Sequence, residues 1–351
     1  DKGCEYVVME VSSQGMKQKR VYGIPFLIGV FTNLGEDHVG PGEHATLSEY
    51  RYYKSRLFKG CQIGIGNLDD IQTGYMFRRT TCEKYGYTCQ QWRKEARMYE
   101  GTHILCGEHI QLLMDNGIPV TRFLVKGIPV CLQQPGSFNV YNALAALSVV
   151  ECLKLPLDAC AKTLEKVFIN GRMERIPWGE NIACYIDYAH NGMSLRRVLQ
   201  TLHAYKPFRI IVVFGCGGGR AKTRRLEMGE AAGLFADEII LTNDNPREEN
   251  PEKIIRDIIE GIKKAEEKTA DNEEKKMKII MDRRMAVAEA IREARTGDVV
   301  LIAGKGHEKY QEIHGVRYYM DDHELVREAM WQRERMQKRE LLMKQQESPG
   351  Q

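Results

Sequence analysis

The chain has 351 residues, a net charge of +3 and a pI near 8.2, long enough for two domains with sizeable cores. No basic cluster stands clear of acidic neighbours, which argues against a nucleic-acid footprint. No run approaches the roughly 18 apolar residues that span a bilayer, and no signal-peptide pattern opens the sequence, so a cytoplasmic protein is expected.

Residues 6–9, Tyr-Val-Val-Met, read as a buried strand whose carboxyl end delivers Glu10, the usual place for a ligand-binding carboxylate in an open α/β sheet. On the residues alone, a solvated carboxylate is the commoner reading. A second strand is predicted over 27–32. After the Gly-Pro-Gly turn at 40–42, Thr46 with Glu49 three residues on forms a capping-box signature, so a helix starts there. Its apolar stripe, Leu47, Tyr50, Leu57 and Phe58, runs through Lys54, which then points inward. A buried ammonium tends to lose its proton, and a neutral amine can add carbon dioxide to give a carbamate, an oxygen ligand suited to Mg²⁺. The competing reading is a lysine that snorkels out along the helix.

A third strand is expected over 61–65, ending in the turn Asn67-Leu68-Asp69-Asp70. Residues 75–132 show weak periodicity and read as a mixed, partly β excursion. The 10 cysteines include no CxxC pair and read as reduced structural thiols. Pro135-Gly136-Ser137-Phe138-Asn139 enters an Ala-rich helix carrying Asn142, either an ordinary N-cap or an anion site.

Asn170-Gly171-Arg172-Met173-Glu174 marks a domain boundary, because short apolar runs then alternate with helical stretches. The runs at 183–186, 209–214, 238–241, 278–281 and 299–302 predict a parallel sheet with helices on both faces. Ile254, Ile255, Ile258, Ile259 and Ile262 form one helical stripe after Pro251. Residues 263–276 read as a solvated helix end plus loop, and those after Ala329 as a charged helix or disordered tail. The expected division is therefore 1–170, 171–330 and a tail, 331–351. Gly215-Cys216-Gly217-Gly218-Gly219-Arg220 follows a strand but lacks both GxGxxG spacing and a Walker lysine. Read bare, Asp187 is a helix N-cap, Asp244-Asn245-Pro246-Arg247 a turn, and Gly304-Lys305-Gly306-His307-Glu308 a strand-to-helix loop.

In order, these strings resemble the Mur ligase family, most closely its MurE type. The family carries E-V-S-S-x-G-L-x-x-x-R, matched from Glu10 to Arg20, then F-T-N-L-x-x-D-H from Phe31 to His38, and E-Y-x-x-x-K-x-x-L-F from Glu49 to Phe58. F-N-x-x-N-x-L-A-A, G-R-M-E, D-Y-A-H, D-N-P-R and G-K-G-H-E follow, so the resemblance runs to about Asp322. It implies a central ATPase-type α/β domain, here lacking its amino-terminal part, followed by a Rossmann-like doubly wound domain.

The implied activity is ATP-dependent addition of meso-diaminopimelate to UDP-MurNAc-L-Ala-D-Glu in peptidoglycan synthesis, by a monomer. Glu10, His38 and a carbamylated Lys54 inherit the Mg²⁺ and catalytic roles; Ser12, Gln18 and Arg20 contact the UDP-muramoyl-peptide. Asn142, Arg172, Asp187 and His190 inherit ATP contacts. Arg220, Asp244, Asn245, Pro246, Arg247, Gly304 and Glu308 inherit the amino acid. D-N-P-R marks diaminopimelate-adding members and D-D-P-N lysine-adding ones, because an arginine grips the second carboxylate that lysine lacks.

Departures are Gln14 for a histidine, the 37–44 loop, which leaves the role of His44 open, Asn191-Gly192-Met193-Ser194 for T-P-D, and Gly219 and Ala221 for two aspartates. The family's UDP-binding domain and P-loop are not in the sequence, so ligase activity by this chain alone is not expected. The alternatives are another amino-acid ligase of the superfamily, lysine-adding or of the folylpolyglutamate or cyanophycin type, and a catalytically silent amino-acid-binding module.

Overall fold

The computed structural model describes residues 3–35, 44–90, 101–167, 173–179, 181–268 and 275–346. The chain divides into two compact units, one of residues 1–111, 122–132 and 137–166, the other of 112–121, 133–136 and 167–351.

The first unit opens with α1 (Ser13–Lys17), β1 (Phe26–Phe31), α2 (Leu47–Ser55), β2 (Cys61–Asn67), α3 (Thr73–Met76), β3 (Glu83–Thr88) and β4 (His103–Cys106). The four strands pair in parallel in the order β1-β2-β3-β4. β5 (Glu108–Asp115), β6 (Ile118–Val125) and β7 (Ile128–Leu132) form a separate three-stranded sheet, of which residues 112–121 count with the second unit. Its connections are Asn116-Gly117, with φ of 48° and 77°, and Lys126-Gly127, with φ of 51° and 76°. Two successive positive-φ residues make the hairpin turn whose twist matches that of the flanking strands. α4 (Ser137–Cys152) and α5 (Leu157–Leu164) complete the unit. Ile65, Tyr87 and Leu105 of the parallel sheet, Phe123, Val125 and Val130 of the meander, and Val140, Leu144 and Leu147 of α4 share one core.

The expected strand over 6–9 is absent. The segment is irregular, with Tyr6 61% and Val8 98% exposed, and Glu10 is exposed with it. Apolar residues become a buried strand only when a ladder partner takes their N–H and C=O groups, and no pairing of this segment occurs among the described residues.

The second unit contains β8 (Glu174–Ile176), β9 (Ala183–Asp187), α6 (Gly192–His203), β10 (Ile210–Phe214), α7 (Lys222–Phe235), β11 (Glu238–Leu241), α8 (Pro251–Glu266), β12 (Lys276–Ile279), α9 (Arg283–Glu293) and β13 (Val299–Ala303). The hairpin β14 (Tyr310–Ile313) and β15 (Val316–Tyr319) and the helix α10 (Asp322–Gln346) follow. The sheet order is β12-β11-β10-β13-β9-β8, parallel except for the β8–β9 pair. Alternation along each strand serves two cores. Ile210, Val212 and Phe214 join Leu195, Leu199, Met228 and Ile258 of α6–α8, whereas Ile211 and Val213 join Val287, Ile291 and Val326 of α9 and α10. Helices therefore cover both faces, as the alternating pattern predicts.

The strand expected over 278–281 begins instead at Lys276, because β12 is an edge strand with Met277 and Ile279 exposed, and its hydrophobicity poorly marks its ends. From β10 the chain moves outward through β11 to β12, then returns to place β13 on the other side of β10. That reversal is where open α/β sheets carry their sites, at the strands' carboxyl ends.

Candidate active site

Four loops leave the carboxyl ends of β9, β10, β11 and β13, and they hold most of the residues singled out in the second unit. The glycine loop after β10 exists to be approached closely. A Cβ on Gly218 would stand 1.9 Å from the Pro246 carbonyl oxygen, and one on Gly215 2.1 Å from that of Thr242. Gly218 N–H donates to the Asn245 carbonyl at 2.8 Å, so the loop lies against the Asp244–Arg247 turn. Gly218→Ala is expected to cost about 1–3 kcal/mol by overpacking and to loosen ligand binding with it; urea unfolding and ligand titration of the variant check both.

Arg247 sits with φ at 53°, a left-handed backbone rarely adopted by a side chain of its size. Both of its backbone groups are tied to the β14 hairpin: its N–H donates to the Glu312 carbonyl and its C=O accepts from His314 N–H, each at 3.0 Å. Its guanidinium donates to the Gly218 carbonyl at 2.7 Å and faces Glu312 at 3.6 Å, with 31% of the side chain exposed. With Nη1 engaged on Gly218, Nε facing Glu312 and the side chain part-exposed, the guanidinium still has donors to offer a carboxylate. Arg220 is exposed on the same glycine loop, its Cγ 3.9 Å from the Cβ position of Gly217, which itself stands 3.4 Å from Arg247 Nη1.

The turn and the Gly304–Glu308 loop are joined by side chains. Asn245 Oδ1 accepts from Lys305 Nζ at 3.1 Å and from Glu312 N–H at 2.9 Å, while its Nδ2 donates to Glu308 at 3.1 Å. Lys305 is fully buried and also donates to the Tyr310 carbonyl at 2.5 Å. Burial lowers its pKa, against the opposing charge of Asp244. Asp244 is 7% exposed, and burial raises its carboxyl above the usual range. Gly304, with φ at 114°, lets Asp244 come close, since a Cβ there would stand 2.6 Å from Oδ2. Beneath them Arg283 and Asp322 form a fully buried two-bond pair at 2.8 and 2.7 Å.

Asp187 is not the helix N-cap. That role belongs to Asn191, whose Oδ1 accepts Ser194 N–H at 2.9 Å in a capping box. Asp187 instead accepts Met173 N–H at 2.7 Å and Ala189 N–H at 2.8 Å, and its carbonyl takes Gly304 N–H. It thereby anchors β9 to both the preceding segment and the β13 loop. His190 Nδ1 lies 2.8 Å from the Tyr188 carbonyl. Arg172 lies outside the described residues.

One acid-sensitive tie holds this site. Arg225, 2% exposed, pairs with Glu249 at 2.5 Å and Asp257 at 2.9 Å, and Glu249 also accepts Gly219 N–H at 3.0 Å. The guanidinium holds the Glu249 carboxyl down at about 2, against an ordinary 4.5. A depressed carboxylate contributes stability above its unfolded value and loses it as pH falls through the folded one. Urea midpoints should therefore fall between pH 4.5 and 2 in the native protein, with a shallower decline in Glu249→Gln.

In the first unit, the carboxyl end of β1 is held from three sides: Asn67 Nδ2 donates to the Thr32 carbonyl at 3.0 Å, Leu34 N–H donates to Asp70 at 3.0 Å, and Lys54 Nζ donates to the Asn33 carbonyl at 3.3 Å. α2 begins as expected, with Thr46 Oγ1 accepting Glu49 N–H at 3.1 Å. Lys54, however, is not buried in the core. It is half-buried, its ammonium 5.2 Å from the Tyr50 ring, and Leu47 of the same stripe is 37% exposed. Helical spacing gives the azimuth of a residue, but a long stem lets its head leave the core. As an ammonium it is a donor here, and becomes a metal ligand only as the carbamate. His38 lies outside the described residues; among those described, no three His, Cys, Asp or Glu side chains gather as a metal site.

Ser12 caps α1, its Oγ accepting Gly15 N–H at 3.0 Å, and Gln18 and Arg20 are exposed just beyond. His44 is fully buried, with Nε2 2.9 Å from Ser13 Oγ and its ring stacked on Tyr50 and Tyr53 at 5.4 and 5.7 Å. Its role is to join α1 to α2. Asn142 is exposed on α4 and donates to Asn139 at 3.1 Å. None of the 10 cysteines is paired in a disulfide.

Tyr188, Lys305 and Glu312 were not singled out in the sequence. Lys305 has no periodic signal, since glycines flank it, and its burial follows from strand order alone.

Residues 1–150 match the Mur ligase middle domain and residues 171–306 the Mur ligase glutamate ligase domain. The chain belongs to the Mur ligase family. It is 37% identical over 340 residues to the UDP-N-acetylmuramoyl-L-alanyl-D-glutamate–2,6-diaminopimelate ligase of Caldanaerobacter subterraneus subsp. tengcongensis, covering 95% of this chain and 66% of that protein. Enzyme 2 of that name from Clostridium acetobutylicum is 38% identical over 338 residues, covering 94% and 64%. A solved structure of a ligase of that name superposes with a TM-score of 0.70 at 33% identity, over 91% of this chain and 63% of that one. The fold is shared at 18% identity by the UDP-N-acetylmuramate-alanine ligase of Thermotoga maritima, TM-score 0.55. The chain thus spans 64–66% of the length of these curated relatives.

Proposed function

We propose that this chain supplies the amino-acid-adding part of an ATP-dependent ligase of peptidoglycan precursor synthesis. The D-Glu carboxylate of UDP-MurNAc-L-Ala-D-Glu takes the γ-phosphoryl group of ATP, releasing ADP. The amino group of meso-diaminopimelate then attacks the acyl phosphate, phosphate leaves, and the amine's proton is lost as the amide forms. The observation that carries this reading is the union of the D-N-P-R turn and the G-K-G-H-E loop through Asn245, with the Arg247 side chain 31% exposed on the same turn. A guanidinium on the turn and a carboxylate on the loop that the turn holds suit a second amino-acid head group, which lysine has only in part. The test is calorimetric titration: meso-diaminopimelate should bind more tightly than L-lysine, and equal affinities or a preference for lysine would overturn the assignment.

Ser12, Gln18 and Arg20 are proposed to meet the UDP-muramoyl-peptide, and Asn142, Arg172, Asp187 and His190 the nucleotide. Arg220 is proposed to meet the incoming amino acid along with the loop residues above. Glu10, His38 and carbamylated Lys54 are the proposed Mg²⁺ donors, and the carboxylate and carbamate oxygens of that set suit a hard cation. When bound, the ion offsets charge on the transferring phosphoryl oxygens. Lys54 is proposed to carry the carbamate: the protein in ¹³C-bicarbonate should show a carbamate carbonyl resonance that Lys54→Arg lacks. A cytoplasmic monomer accords with these soluble substrates, and no helix among the described residues is long and apolar enough to cross a membrane.

A further inference from the structure

Glu308, proposed above to meet the amino acid, is bonded to Asn245 and to a residue without an assigned role, Tyr188. Its Oε1 accepts the Tyr188 hydroxyl at 3.2 Å and its Oε2 accepts Asn245 Nδ2 at 3.1 Å. Each carboxylate oxygen has two lone pairs, so one on each oxygen is engaged and one on each remains for a ligand. The orientation of Asn245 is dictated in turn. Lys305 can only donate, and so can Glu312 N–H, so Oδ1 must face them at 3.1 and 2.9 Å and Nδ2 must face Glu308.

Lys305 also stands 3.9 Å from Glu308 Oε2. It is a buried cation beside Asp244 and Glu308, with Arg283 and Asp322 also in reach. Tyr188 is part-buried and has ring and backbone neighbours besides its hydroxyl bond. Its ring lies 4.5 Å from that of His190 and 5.0 Å from that of His307. Gly306, with φ at 54°, packs so closely that a Cβ there would stand 2.8 Å from that of Tyr188.

We propose that Lys305 and Tyr188 are positioning residues that aim Glu308 at the ammonium of an amino-acid head group whose carboxylate Arg247 takes, and so set selectivity for a ligand with a second α-amino centre. The inference rests on the amino-acid reading above. A carboxylate on a flexible stem discriminates an ammonium only when its orientation is set beforehand.

The experiment is calorimetry at neutral pH with three ligands: meso-diaminopimelate, L-2-aminopimelate, which keeps the far carboxylate but lacks the far amine, and L-lysine. The native protein should prefer diaminopimelate to 2-aminopimelate. Tyr188→Phe and Lys305→Met should each shrink that preference by about tenfold, through weaker diaminopimelate binding, while 2-aminopimelate affinity changes by no more than about twofold. Circular dichroism and urea midpoints establish that each variant is folded. Should the buried Lys305→Met fail to fold, Tyr188→Phe, which removes one hydroxyl, decides alone. An unchanged preference in Tyr188→Phe overturns the proposal, as does an equal loss for both ligands, which would mark a merely structural role. If the native protein binds none of the three, the amino-acid reading itself falls and this inference with it.

Discussion

Arg247→Ala should weaken meso-diaminopimelate binding by about 2–4 kcal/mol, roughly 30- to 1,000-fold, and leave L-lysine binding nearly unchanged. The guanidinium is partly screened, with 31% of the side chain exposed, which places the expectation below that for a fully desolvated pair. What raises it above an ordinary surface contact is preorganisation. The backbone is pinned to β14 by two hydrogen bonds of 3.0 Å and the fork by the Gly218 carbonyl at 2.7 Å, so little side-chain entropy remains to be lost on binding. Arg247→Lys should recover only a small part of the loss, because a point charge on a flexible stem lacks the second parallel donor. Calorimetry on both variants decides the matter, and equal losses for the two ligands would mean that Arg247 does not read the second carboxylate.

Arg283→Met should lower the unfolding free energy by about 3–5 kcal/mol, read as a fall in the urea midpoint at unchanged slope. Both Arg283 and Asp322 are fully buried, so removing the cation leaves a carboxylate with neither water nor partner. The pair also occupies a structural junction. Arg283 opens α9, Asp322 opens α10, and Arg283 Nη2 donates to the Ala303 carbonyl at 3.1 Å, at the end of β13 just before Gly304. Loss of the pair should therefore weaken amino-acid binding as well as stability. The double variant Arg283→Met/Asp322→Leu should recover much of the lost stability, because an apolar pair of similar volume escapes the desolvation cost. A single variant that costs less than about 1 kcal/mol would show that water reaches Asp322.

Local features were legible in the sequence where their cause is local. The Thr46 cap and the Ile stripe of α8 depend on side chains within a turn or two of one another, and both stand where expected. The meander of β5–β7 was also legible and went unread. Its strands alternate weakly, yet Asn116-Gly117 and Lys126-Gly127 are two-residue turns, and the first is a strong short-range hairpin signal. Residues 6–9 erred the other way, since their hydrophobicity suggested a strand whose ladder partner the sequence cannot supply. Lys54 falls between these cases: its helix was predictable, but the reach of its stem placed the ammonium at the Asn33 carbonyl.

By itself the sequence determined the alternation of strands and helices in the second unit and the motifs at the strand ends, because periodicity and turn chemistry act over a few residues. Only the tertiary structure decided which of those ends meet. Asn245 and Lys305 lie 60 positions apart and Tyr188 and Glu308 120 apart. They meet because β13 returns between β10 and β9, and strand order is set by how the two apolar faces are jointly buried rather than by any local preference.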